Sequence, residues 1–143
     1  MKSKRQVIAL IIWWCEGTKL RRDYRWKNAY LYSIEVINCD PKIIKIFKDF
    51  LVEDLNVPLE KLHGQIQIHE GDNQKERENY WEKEIGIPQE QFNKTIIRKK
   101  GNKIGKNKGT FKLRVYNKKL YQQLKGLLDK ELEILNRGVA QLA

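Results

Sequence analysis

The chain has 143 residues, 41% apolar and 33% charged, and its 29 lysines and arginines against 18 aspartates and glutamates give a formal net charge of +11. That length suits one domain with its own core and excludes two domains of ordinary size, while the composition excludes a disordered or membrane-embedded chain. A domain this basic is expected to meet a polyanion, nucleic acid first. Cys15 and Cys39 are too few for a disulfide framework, and with only His63 and His69 beside them a structural zinc site is hard to assemble; two thiols in a reducing cytosol are expected.

Met1 to Arg5 is basic, and Val7 to Cys15 is an unbroken apolar run. A secretory signal begins this way, but Glu16-Gly17-Thr18-Lys19 follows where a small-residue cleavage site would stand. The run is also far short of the ~20 residues that cross a bilayer. A cytoplasmic location without membrane contact is expected. Gln6 to Cys15 reads as a helix ending at Gly17, although Val7, Ile8, Ile11 and Ile12 leave a strand open. Being apolar all round, such a helix is expected to be fully buried, in part against a partner.

Thr18 to Lys27 is basic and polar. Ala29 to Asn38 alternates, with Tyr30, Tyr32, Ile34 and Val36 on one face and Leu31, Ser33, Glu35 and Ile37 on the other. Together these segments predict a β-ribbon with a basic tip. Asp40-Pro41 marks a helix start, and Ile43, Ile44, Ile46, Phe47, Phe50 and Leu51 carry the helix to near Leu55. Gln65 to His69 alternates as a strand with Ile66 and Ile68 inward and Gln65, Gln67 and His69 outward. Asn73 to Glu84 predicts a charged helix anchored by Tyr80 and Trp81 and stopped by Gly86 and Pro88. Seven acids against three bases between Glu70 and Glu90 make this the acidic side. Asn93 to Arg98 and Thr110 to Tyr116 read as strands flanking a basic loop, with Phe111, Leu113 and Val115 opposite Lys112, Arg114 and Tyr116. Lys118 to Leu135 is the closing helix, with Gly138 as its expected cap.

The presumptive hairpin from Lys94 to Arg114 also carries Arg98, Lys99, Lys100, Lys103, Lys106, Lys108 and Lys112, with no acid between. Lys19, Arg21, Arg22, Arg25 and Lys27 make the first ribbon positive as well. Such cations neutralise phosphates, and two-stranded ribbons fit the major groove of duplex DNA. Gln65, Gln67, His69, Lys112 and Arg114 are residue types that reach base edges or phosphates. Glu16 is the first acid after the apolar run. Beside a phosphate it could ligate a hard cation such as Mg²⁺, and two copies on a two-fold axis would make a better site than one. An ordinary polar helix end is the alternative. Trp13 and Trp14 fit the core and a subunit contact; Trp26, with Tyr24, fits either a DNA contact or a staple within the turn.

Ala9-Leu10-Ile11-Ile12-Trp13-Trp14-Cys15-Glu16-Gly17 with Thr18-Lys19 resembles a divergent LAGLIDADG motif. The order of predicted elements is similar to that of single-motif LAGLIDADG homing endonucleases. Glu35 to Lys45 and Leu113 to Leu120 look like that family's strand-to-helix junctions. Tyr80-Trp81, Gly86-Ile87-Pro88 and Gln91-Phe92-Asn93-Lys94 resemble a block found in LAGLIDADG-like bacterial proteins, which adds a helix between the third and fourth strands. The resemblance implies an α+β fold: a motif helix, then two β-ribbons forming a curved antiparallel sheet with helices on one face. It implies a homodimer through the first helix, gripping double-stranded DNA and cutting both strands of a long pseudo-palindromic site. Glu16 would then hold Mg²⁺, Lys118 (or Lys119) would orient water, and Gln67 would assist; the location would be nucleoid-associated. The family prefers small residues where this chain has Ile11 and Cys15, so Ile11 is expected to widen the helix pair. Some relatives bind DNA, or intron RNA, as regulators or splicing factors without cutting, and that is the alternative reading.

Overall fold

The computed structural model describes residues 3–17, 21–23, 25, 29–99 and 108–142. Helix α1 (Lys4–Glu16) opens on Ser3, whose hydroxyl accepts from the Gln6 amide. It stops at Gly17, where a β-carbon would lie 2.2 Å from the Trp13 carbonyl oxygen. The Gly17 backbone pairs with Val36 in a single β-bridge, which fastens the end of α1 to the sheet. Strands β1 (Arg21–Asp23) and β2 (Ala29–Leu31) form a separate antiparallel ribbon, and β3 (Ser33–Asn38) follows after Tyr32. The predicted single strand from Ala29 to Asn38 is thus divided between two sheets.

Helix α2 (Pro41–Asp49) starts on the Asp40 carboxylate, which accepts from the Lys42 amide, and continues as a π-turn over Phe50–Asp54. Strand β4 (His63–His69) follows a 3-10 turn, Leu59–Lys61. Helix α3 (Gln74–Ile85) is capped by Asn73 and ended by Gly86, whose φ of 83° is left-handed. Strands β5 (Ile96–Arg98) and β6 (Thr110–Tyr116) lead to α4 (Lys118–Leu142). Gly138 does not cap α4 as predicted. One interior glycine costs a helix only about 1 kcal/mol, and the Glu133–Arg137 pair bridges the turn before it.

The architecture is α+β, with a four-stranded mixed sheet in the order β3-β6-β4-β5. Strand β6 pairs antiparallel with both β3 and β4, whereas β5 runs parallel to β4. The expected wholly antiparallel sheet therefore fails at β5, and the Lys94–Arg114 hairpin does not form. Strand β6 takes the centre because Phe111, Leu113 and Val115 alternate over its whole length and are all buried. The three residues of β5 are exposed, which suits a short edge.

One face of the sheet is covered. Ile34, Val36, Ile66, Ile68, Phe111, Leu113 and Val115 pack beneath the helices with Leu10, Phe47, Trp81 and Leu124. Trp81 stacks on Phe111 at 5.3 Å between centroids, and Phe92 meets the same ring edge-on at 5.5 Å. Gly64 makes room for this trio, since a β-carbon there would stand 2.4 Å from Phe111 Cζ.

The prediction that α1 is buried on every side is corrected within one chain. Ala9, Leu10 and Trp13 face inward, but Ile8 (46%), Ile11 (50%) and Trp14 (48%) are exposed, with Val7 beside them. The helix has two apolar faces, and the described residues of a single copy cover only one. Its start is pinned by Arg5, which donates from Nε (2.9 Å) and Nη2 (2.7 Å) to Asp54 and from Nη1 to Glu53 (2.7 Å). The Arg5 hydrogen bonds hold the Asp54 carboxyl below its ordinary value. A depressed carboxyl stabilises the fold above its unfolded pKa, and that contribution is lost as pH falls through the folded value. Arg5→Ala is expected to flatten the fall of denaturant midpoint with acid below about pH 4; an unchanged acid limb would show that the pair does not couple to folding.

Candidate nucleic-acid interface

The uncovered face of the sheet is polar, and its rows follow from strand register. Arg114 lies between Glu35 and His63, Lys112 between Ile37 and Gln65, and Gln67 between Thr110 and Ile96; His69 pairs with Arg98. Ile37, Gln65, Gln67, Ile96, Arg98 and Lys112 are among the residues around a shallow depression of about 230 Å³. The alternation predicted for Gln65, Gln67, His69, Lys112 and Arg114 thus delivers all five to one surface. Lys94, Arg98 and Lys99 are exposed towards the β5 edge. Gln65 has one donor engaged, its Nε2 donating to the Lys94 carbonyl at 2.9 Å.

Acids lie mainly on the other side. Helix α3 rests on the covered face through Trp81, and its carboxylates have local partners: Glu82 accepts from the Gln89 amide at 2.8 Å and Glu78 from Thr95 at 3.2 Å. Lys108, predicted with the basic loop, instead sits 3.6 Å from Glu76. Glu35 is the exception. It is 5% exposed on the open face, accepts from the Ser33 hydroxyl at 2.8 Å and lies 4.0 Å from Arg114 Nη1. Arg114 also lies over the Tyr116 ring, 5.3 Å from its centroid. A guanidinium held by a carboxylate and a ring is oriented before any ligand arrives. Sequence reading placed Glu35 on this face without giving it a role; its opposition to Arg114 is a matter of register between distant strands.

A second feature lies where α1 ends and α4 begins. Trp13 meets Tyr121 edge-on at 5.5 Å, and Tyr121 meets Tyr32 at 5.7 Å. Lys118 Nζ sits over the Tyr32 ring at 5.5 Å. This aromatic chain ties the last turn of α1, which carries exposed Glu16, to the first turn of α4, which carries Lys118. Tyr32 was predicted only as a strand residue sharing a face with Tyr30, Ile34 and Val36. Gln67 does not join this corner: it stands opposite Thr110, and the length of β6 from there to Tyr116 is about 20 Å. Glu16 offers one carboxylate per chain, and no group of three or more His, Cys, Asp or Glu side chains that could hold a metal occurs among the described residues.

The third feature is apolar. Val7, Ile11 and Trp14 of α1 and Leu128, Leu132 and Leu135 of α4 border a groove of about 220 Å³, and Ile8 extends the patch along α1. Cys15 is exposed next to Trp14.

Of the cations expected to touch nucleic acid, Lys19, Lys27, Lys100 and Lys103 lie outside the described residues, as do Lys106, Tyr24 and Trp26. Arg21 and Arg22 belong to β1, and Arg25 is exposed in the turn that follows. No helix among the described residues is long and apolar enough to cross a membrane. No family model matches the chain, and neither the curated proteins nor the solved structures yield a match.

Proposed function

We propose that this chain binds double-stranded DNA as a homodimer and that the dimer is a Mg²⁺-dependent, site-specific endonuclease of the LAGLIDADG type. The open sheet face carries the reading: Lys112, Arg114, Arg98, Gln65, Gln67 and His69 share one surface, while the acids of α3 lie behind the sheet. Lysines and arginines there meet phosphates, and the glutamines and Arg114 meet base edges in the major groove. The chain order of a motif helix, a ribbon, a helix, further strands and a closing helix supports the family assignment.

Two copies joined through the exposed face of α1 bring their Glu16 residues towards one axis and double the length of DNA covered. Glu16 would hold the metal, and Lys118, steadied over Tyr32, would orient the attacking water. A bound divalent cation supplies Lewis acidity and lowers the pKa of water. One observation favours a second reading, a binding protein that does not cut. Ile11 is half exposed on the proposed pairing face; a branched side chain there would hold the two helices apart, and in-line cleavage tolerates little misplacement.

The test is selection from a random duplex library with Ca²⁺ replacing Mg²⁺. A two-fold symmetric site of about 20 base pairs is expected, two half-sites related by the dimer axis. Lys112→Ala should then weaken all sequences alike and lower the salt slope by about 1, whereas Gln67→Ala should relax preference at particular base pairs. Salt-sensitive binding without a selected motif would overturn site-specific recognition.

A further inference from the structure

We propose that the groove between the α2–β4 connection and the first turns of α4 binds a single nucleotide, its phosphate at Lys61 and Lys119 and its base on the apolar floor. The groove encloses about 500 Å³, more than twice the depression on the open face, and falls within the range of small-molecule sites. Its floor is formed by Val57, Pro58 and Leu120, and Lys61, His63 and Lys119 stand around it.

Charge decides the class of ligand. None of the described residues that line the groove is an acid. Lys45 and Lys48 have Asp49 nearby, Lys108 has Glu76 and Lys125 has Asp129. Lys61 and Lys119 have no such pairing among the described residues. Two cations at one cavity, with an imidazole beside them, favour an anion. Inorganic phosphate alone would leave the apolar floor uncovered. A nucleotide covers both, with its base on Pro58 and Val57 and its ring edges within reach of polar side chains such as Asn56 and Gln123.

The walls are formed before a ligand arrives. The connection is held by the Leu55 amide donating to the Phe50 carbonyl and the Val57 amide to Leu51, at 3.1 and 2.9 Å. Gln91 Nε2 donates to both the Leu59 and Leu62 carbonyls, at 2.9 and 2.8 Å. On the far side the Asn117 amide donates to the Tyr32 carbonyl at 3.1 Å, and its side chain caps the Leu120 amide at 2.9 Å. Preorganised walls lower the entropic cost of binding. The nucleotide could be free or the 5′ end of a strand, and the phosphate and base are the same chemistry in both.

The full chain, labelled for amide NMR, is titrated with deoxyadenosine 5′-monophosphate, deoxyadenosine and inorganic phosphate. The monophosphate should shift the amides of Val57, Lys61 and Lys119, and the other two should each bind at least about tenfold more weakly. Lys61→Glu with Lys119→Glu should lower the monophosphate affinity by about 100-fold. Lys83→Glu, exposed on α3 away from the groove, should leave it unchanged. A 5′-phosphorylated trinucleotide that competes assigns the site to strand ends, and one that does not assigns it to free nucleotide. Unmoved groove amides at millimolar monophosphate overturn the proposal. So does inorganic phosphate binding as tightly, or an equal loss with Lys83→Glu. Duplex binding is a separate readout, so failure here leaves the endonuclease reading standing.

Discussion

Glu16→Gln should abolish Mg²⁺-dependent strand cutting of a selected duplex, by at least about 10³-fold, while affinity in Ca²⁺ stays within about twofold; the rate loss corresponds to about 4 kcal/mol of transition-state stabilisation. The substitution keeps the shape of the side chain and removes its charge. Glu16 is exposed at the end of α1, so the fold does not lean on it, and Gly17 and Trp13 secure the helix end without it. The comparison therefore separates chemistry from binding. Undiminished cutting by Glu16→Gln would remove Glu16 from the mechanism. Absence of cutting by the unmodified chain, on a site that it binds tightly, would leave the non-cleaving reading in its place.

Ile11→Glu should convert a dimer into a monomer in sedimentation equilibrium at micromolar concentration, with little change in the thermal midpoint extrapolated to low protein concentration. Ile11 points away from Ala9, Leu10 and Trp13, which hold α1 to its own core, so a charge at Ile11 acts between copies and not within one. Duplex affinity should fall by at least about 100-fold, because two half-sites are no longer bound together. A gel-shift series measures this loss. An unmodified chain that sediments as a monomer would sink the dimer and, with it, the paired Glu16 site. Unchanged mass with Ile11→Glu would move the interface away from this face of α1.

Local order was legible wherever neighbours in sequence determine it. Asp40-Pro41, Asn73 and Gly86 mark helix ends because caps bond only to the adjoining turn. The alternation in Gln65–His69 and Thr110–Tyr116 assigned each side chain to a face, because a strand has period two whatever it pairs with. That was enough to turn Gln65, Gln67, Lys112 and Arg114 outward before any topology was known; the pairing of β4 with β6 then gathered them on one surface. Glu16 and Lys118 were legible as the residues at a helix end and a helix start.

Partnership between distant segments was not legible. Nothing local says that β6 inserts between β3 and β4, or that β5 lies parallel to β4, since backbone pairing carries no sequence label. The hairpin from Lys94 to Arg114 failed for that reason. An unbroken apolar run such as Val7–Cys15 shows that α1 avoids water, but not which side meets its own core and which is left over. Its division into an inward Leu10–Trp13 face and an exposed Ile8–Ile11–Trp14 face was decided by where α2, α4 and β3 pack. The burial of Glu35 beside Arg114 and the link from Trp13 through Tyr121 to Tyr32 belong to the same kind. Sequence by itself determined the basic charge, the amphipathic strands and the caps of α2 and α3, which depend on residues a turn or less apart. The tertiary structure alone decided which cation is held, which apolar face stays open and which groove is lined without an acid, because each depends on segments brought together only when the core closes.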